Sequence, residues 1–211
     1  AARGLLLDVV DAAVTNAVGE AKDLLGGEDR ELRPADWAWE SERLRAERFS
    51  VDDATVRPYF ELESVLRDGV MYSAEQLYGL RFAERPDLAG YLPDVRVVEV
   101  FDDERSQPDA GIGLLLLDYY ARPTKRGGAW MTSLRDQSRL LDSRPVIVNV
   151  MNLSRPAEGE PTLLTMDEVT TMFHEFGHAL HGLLSDVEYP VFSGTSVPRD
   201  FVEFPSQVNE M

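Results

Sequence analysis

The sequence predicts an α+β fold that is mainly helical, with a small β-sheet confined to the second half of the chain. Three observations predict it. Apolar residues recur at helical spacing through the first 92 residues. From Pro93 onward the pattern turns to short β-branched runs such as Val95-Arg-Val-Val-Glu-Val-Phe101. A strongly apolar helical pattern then returns over Thr165 to His181. Residues 1–92 are therefore expected to form a helical segment, and residues 93–211 a small sheet with further helices.

Taken in order, residues 3–25 place Leu5, Val9, Ala13, Ala17 and Leu24 on one side of a helix that Gly26-Gly27 ends. A second helix is expected from about Asp36, as its cap, to Phe49. The charges at Glu40, Glu42, Arg43, Arg45, Glu47 and Arg48 read as its solvated face. Ser50 to Leu80 reads as shorter helices, with Ser73-x-x-Gln76 as a capping box and Gly69 and Gly79 as punctuation. Val95–Phe101 and Ile112–Tyr120 read as strands of an antiparallel hairpin, joined by a polar turn over Asp102–Gly111. Pro145–Val150 reads as a third strand. Between them, Lys125-Arg-Gly-Gly-Ala-Trp130 carries two adjacent glycines. They fit either a tight turn or a peptide-binding edge strand, and no phosphate-loop pattern surrounds them. Ser154–Pro161 reads as a loop leading into the last apolar helix.

Composition narrows the function classes. At 44% apolar and 28% charged residues, the chain has the balance of a soluble globular protein. No apolar run approaches the ~18 residues of a membrane span. Asp8 and Asp11 interrupt the apolar opening, which argues against a signal peptide. Without an initiator Met, the chain is expected to begin within a longer protein or to have been trimmed. A net charge of −17 argues against a nucleic-acid partner, because phosphates need Lys and Arg to neutralise them. Zero cysteines exclude disulfides and thiolate ligands and suit a cytoplasmic location.

The chemistry concentrates in His174-Glu175-Phe-Gly-His178. Side chains four apart on a helix stack on one face, so both imidazoles can reach one metal ion with Glu175 beside them as a proton acceptor. Thr165 and Glu168 form a capping box at the helix start. Val169, Met172, Phe173, Phe176, Ala179 and Leu180 give it an apolar face. Any one His could be a satisfied core residue, yet all three histidines of the chain fall between positions 174 and 181. His181 reads as a partner of the helix C-terminal dipole or as surface.

Catalytic zinc usually takes three protein ligands and leaves a position open. No further His remains, so a carboxylate must serve. Asp186, Glu188, Asp200, Glu203 and Glu210 lie downstream. Asp186 and Glu188 sit too close to the helix end to fold back easily. Glu203 is the preferred candidate, at the start of a second helix that Asp200 would cap and Pro205 would kink or delay.

These strings resemble the thimet oligopeptidase family of zinc peptidases. The resemblance is carried by Phe173-His-Glu-Phe-Gly-His-Ala-Leu-His181, Ser193-Gly-Thr195 and Arg199-Asp-Phe-Val-Glu-Phe-Pro-Ser-Gln207. Asp118-Tyr-Tyr-Ala-Arg122, Lys125–Trp130, Arg57-Pro-Tyr-Phe-Glu-Leu62 and Leu77-Tyr-Gly-Leu80 add to it. Within the family the strings look most like the bacterial peptidyl-dipeptidase branch. The resemblance implies a zincin-type catalytic region, part of a larger two-lobed helical protein with a deep channel and a small sheet beside the metal helix. It implies one zinc ion held by His174, His178 and Glu203, with Glu175 as the catalytic base. It also implies that residues 1–92 and 93–211 belong to one larger catalytic domain, cut at its C-terminal end. A Tyr and a His that stabilise the oxyanion lie further downstream in the family, so the 211 residues alone are expected to be a weak or inactive enzyme.

The expected function is zinc-dependent hydrolysis of oligopeptides with release of C-terminal dipeptides. Endo-cleavage is the nearest alternative. From other classes come a catalytically inactive, zinc-stabilised binding module and a plain helical interaction protein. Substrate side-chain preference and oligomeric state have no signature in the sequence.

Overall fold

The computed structural model describes residues 2–27, 31–49, 53–102 and 110–211. Two compact units divide it, Ala1–Val56 and Arg57–Met211. Most of the polar turn expected over 102–111 lies outside the described residues.

The first unit is helical. Helix α1 spans Ala2–Leu25 and α2 spans Trp37–Phe49, preceded by a 3₁₀ turn at Pro34–Asp36; α3 is the short Asp53–Val56. Asp36 ends the 3₁₀ turn rather than capping α2, and its carboxylate accepts from the Arg33 backbone amide at 3.4 Å. Of the stripe expected on α1, Leu24 is buried while Val9 is exposed. Arg43 joins the two helices, donating to Leu24 O at 3.0 Å and to Glu40 at 2.9 Å. A cation on the last carbonyls of α1 is a favourable dipole contact.

The second unit begins with a continuous helical stretch. It opens as α4 (Leu62–Ser64), widens into a π-helix over Val65–Met71 and closes as α5 (Tyr72–Tyr78). The buried residues Val65, Leu66, Val70 and Met71 recur five apart. A winding with i→i+5 hydrogen bonds puts all four on one side, which a 3.6-residue turn would not. Ser73 therefore caps nothing. It lies inside the helix, and its hydroxyl donates to Gly69 O at 2.8 Å. Gly79 ends the helix in the left-handed conformation, φ 66°, that favours glycine.

Five strands follow: β1 Leu80–Glu84, β2 Arg96–Asp102, β3 Gly113–Tyr120, β4 Trp130–Arg135 and β5 Val146–Leu153. They form one sheet in the order β1-β2-β3-β5-β4. β2 and β3 are the expected antiparallel pair, whereas β3 and β5 run parallel. The sequence reading missed β1 and β4. Each is short and has one exposed face, so neither shows a long apolar alternation.

Strand periodicity sorts the side chains. Leu115, Leu117, Tyr119, Ile147, Met151 and Leu153 join the main core, while Leu116, Val148 and Val150 pack with Val95 and Val97 on the opposite face. Against the main-core face lies α6, Met166–Leu183, which contributes Met172, Phe176, Ala179, Leu180 and Leu183. Thr165 caps it with the predicted box: its hydroxyl accepts from Glu168 N at 3.2 Å, and the Glu168 carboxylate accepts from Thr165 N at 2.8 Å. Just upstream, Leu62 N donates to Thr162 O and Leu164 N to Phe60 O, stitching the entry of α6 to the start of α4.

Candidate metal centre

Helix α6 carries its polar residues on the flank between the sheet and α7, Phe204–Asn209. Glu203 itself occupies the N-cap position of α7, and Pro205 sits within the first turn, where a missing N–H costs nothing. Asp200 lies in the preceding turn and does not cap the helix.

α7 can reach α6 because of Gly177. A Cβ there would lie 2.6 Å from the Ser206 Cα and 3.0 Å from Pro205 O, inside any tolerable contact. Asn209 then fastens the pair, donating from Nδ2 to Phe173 O at 2.5 Å. This close approach brings Glu203 over the two imidazoles. Its Oε2 lies 3.3 Å from His174 Nε2 and 3.1 Å from His178 Nε2. One ligand atom from each of the three residues falls within 4.8 Å of the others, the only such group of three or more among the described residues.

The donor set fits a zinc ion. Tetrahedral bonds of about 2.0–2.1 Å hold neighbouring ligand atoms roughly 3.3 Å apart, close to both separations seen here. Two imidazoles and one carboxylate are also the ligand chemistry of an open catalytic site, with a fourth position unfilled by protein. Of the other carboxylates weighed, Asp186 and Glu188 turn away to Arg139, at 3.7 and 3.6 Å.

Electrostatics support each role. Burial lowers the pKa of His178 despite the opposing pull of Glu203, which favours the neutral ring, the form a metal ion would need. Burial alone would raise Glu203. The Ser206 hydroxyl and the two imidazoles outweigh it and hold the carboxyl below its ordinary value. Ser206, fully buried, donates to Glu203 Oε2 at 3.0 Å and so aims that oxygen. Glu175 behaves oppositely. Burial raises its pKa, the nearby Glu203 adds to the rise, and His174 and the Met131 backbone amide oppose it without prevailing.

Two participants escaped the sequence reading. Glu210, weighed there as a ligand, accepts instead behind His174, with Oε2 2.9 Å from Nδ1. A carboxylate in that place fixes the tautomer that presents Nε2 to an ion. Its spacing of seven from Glu203, two helical turns, was the available signal. The other is the backbone of Met131 on β4, which no side-chain pattern could reveal. His181 lies in the last turn of α6, yet burial lowers its pKa and its Nδ1 is buried without a hydrogen-bond partner among the described residues. A neutral ring of this kind packs against Phe201, with centroids 6.2 Å apart, rather than serving as a cationic dipole partner.

Comparison with known proteins identifies the family of the chain. The model of the family described as Peptidase family M3 matches residues 2–211. The chain is 47% identical to dipeptidyl carboxypeptidase of Escherichia coli strain K12, over 100% of the chain and 31% of that protein. Identity is 46% to dipeptidyl carboxypeptidase of Salmonella typhimurium strain LT2, over 93% of the chain and 29% of that protein. It is 42% to oligopeptidase A of E. coli, over 85% and 26%. The chain thus spans less than a third of the length of these relatives.

Proposed function

The chain belongs to peptidase family M3, and we propose that it supplies the zinc site and the catalytic base of a peptidase that releases dipeptides from the C-termini of oligopeptides. The observation that carries this reading is the convergence of His174, His178 and Glu203 beside a buried Glu175. When bound, zinc would supply Lewis acidity, lowering the pKa of water towards ~7 and polarising a carbonyl.

The residues divide the remaining work. His174 and His178 present their Nε2 atoms, and Glu210 holds the His174 ring in the required tautomer. Glu203, kept ionised by Ser206 and the imidazoles, contributes the anionic ligand. Glu175 takes a proton from the attacking water at its carboxylate and returns it to the departing amine nitrogen. Its raised pKa makes it a better base than an exposed carboxylate. Strand β4 is the outermost strand beside α6, with one edge unpaired in the sheet among the described residues. An extended peptide adding to that edge would pass the Met131 backbone and so Glu175. The cysteine-free, acidic composition suits a cytoplasmic enzyme with no nucleic-acid partner, and no helix among the described residues is long and apolar enough to cross a membrane.

Dipeptide release is favoured over endo-cleavage by the higher identity to the two dipeptidyl carboxypeptidases than to oligopeptidase A. The complete protein should be loaded with zinc and given one oligopeptide with a free C-terminus and the same peptide amidated. Cleavage of the free form alone, two residues from the end, is expected. Equal internal cleavage of both would replace this reading with endo-cleavage, and a folded protein containing no zinc would remove the enzymatic reading altogether.

A further inference from the structure

Between β3 and β4 the chain runs through a loop that carries a buried amine. Lys125 has only 2% of its side chain exposed. Its ammonium donates to Asp118 O at 2.7 Å, Asp118 Oδ1 at 3.0 Å, Tyr120 O at 3.1 Å and Met151 O. These carbonyls belong to β3 and β5 at the place where their parallel register slips, between Asp118 and Tyr120. An irregularity of that kind leaves ladder carbonyls without backbone partners, and Lys125 satisfies them.

One residue beyond Met151, the Asn152 amide donates to Arg126 O and Gly128 O, both at 2.7 Å. The loop is thereby tied to the sheet at positions 125, 126 and 128. β4 begins at Trp130, and Met131 lies at Glu175. Burying an ammonium is expensive unless it is fully paired, and an ordinary surface turn would not need one.

We propose that Lys125 and Asn152 are positioning residues for peptide binding. By clamping the loop onto the slipped end of the β3–β5 ladder, they hold the start of β4 so that its open edge accepts an extended substrate backbone in register with Glu175. The inference rests on the edge-strand part of the reading above. A shift of the strand by about 1 Å would leave zinc in place and break the edge hydrogen bonds that hold the substrate backbone, a positioning error of the kind that costs about 10²-fold.

The test uses the complete, zinc-loaded protein with Lys125→Met, Asn152→Leu and Asn152→Asp, the last keeping the size but not the donors. Zinc stoichiometry, kcat and KM are measured, together with hydrogen exchange of the β4 amides with and without a non-hydrolysable oligopeptide. In the unaltered protein the peptide should slow exchange along Trp130–Ser133. All three variants should keep one zinc and lose about 10²-fold in kcat/KM, mainly through KM, along with that slowing. A general loss of folding would instead scale kcat with the folded fraction. If peptide leaves β4 exchange unchanged in the unaltered protein, the edge-strand reading fails. If peptide slows it there and the variants keep the same KM and the same slowing, the edge reading stands and the positioning role is overturned. Should Lys125→Met not fold, the two Asn152 variants decide.

Discussion

Asp118 and Glu175 are both buried carboxylates, 3% and 8% exposed, within the same unit. Burial by itself pushes both pKa values up. Around Asp118 that push is overcome by Arg122, at 2.7 and 2.9 Å, by Tyr91 at 2.5 Å and by Lys125, which bring the group down to about 2. Around Glu175 no Arg or Lys among the described residues counters the push, Glu203 adds a second negative charge, and the pKa stays raised. Burial therefore does not decide what a carboxylate does; its partners decide. Saturated with donors, Asp118 is fixed as a charge and serves the fold. Held above its ordinary value, Glu175 has the character that the proposed proton transfer requires.

The largest effect expected follows from the unsaturated member. Glu175→Gln should retain zinc and lose about 10²–10⁴-fold in kcat, since an amide cannot carry the proton. Stability should move the other way. A raised carboxyl pKa means that the fold favours the protonated group and loses stability as pH rises through that pKa. The metal-free Glu175→Gln protein should therefore melt at a higher temperature than the unaltered one at neutral pH. A lower melting temperature would break the contrast.

Asp118→Asn is the mirror experiment. It leaves Arg122 and the buried Lys125 without their anion and should cost roughly 3–5 kcal/mol of stability. Its pH dependence is opposite to that of Glu175. With a folded value of about 2 against an ordinary 3.8, Asp118 contributes stability that is complete above the ordinary value and is lost as pH falls through about 2. That contribution is worth about 2 kcal/mol. Unfolding curves between pH 5 and 2 should steepen with acid in the unaltered protein and flatten in Asp118→Asn.

Smaller changes sharpen the comparison by moving Glu203, the anion that keeps Glu175 raised. Gly177→Ala puts a methyl against the Ser206 Cα and should force α7 away, weakening zinc about 10–100-fold in a chelator competition. Ser206→Ala removes only the hydroxyl that aims Glu203 Oε2, about 1 kcal/mol or roughly fivefold in zinc affinity. Equal zinc affinity in the Gly177→Ala protein would show that helix contact does not set the site.

What could be read from sequence was whatever short-range chemistry dictates. The capping box at Thr165, the stacking of His174 with His178 and the β2–β3 pairing all depend on residues close together in the chain or on plain periodicity. The π-helix was hidden because a five-residue recurrence over two turns resembles broken helical spacing. β4 was hidden because its partner β5 begins eleven residues after its end and one of its faces is wet. Glu203 is the carboxylate, of the five downstream, that lies over the two imidazoles, but its route there through the missing Cβ of Gly177 needed the docked helices to be seen. Glu210 was weighed as a ligand because sequence gives proximity along the chain, not which nitrogen of a ring an oxygen will face.

The antiparallel ladder of β4 with β5 also slips, between Ser133 and Arg135. An unpaired strand edge is a template for any other chain, including a second copy of this one, and long flat edges are where proteins aggregate. Here the irregularity breaks the β4–β5 register after Trp130–Ser133, a run of about 13 Å, and the strand ends on a charged residue, Arg135. Two folded neighbours meeting edge to edge would find too few consecutive hydrogen bonds to hold them together. A short, loose segment needs no more than those few. A short strand with a kinked ladder and a charge at its end is the kind of edge that limits pairing between folded copies.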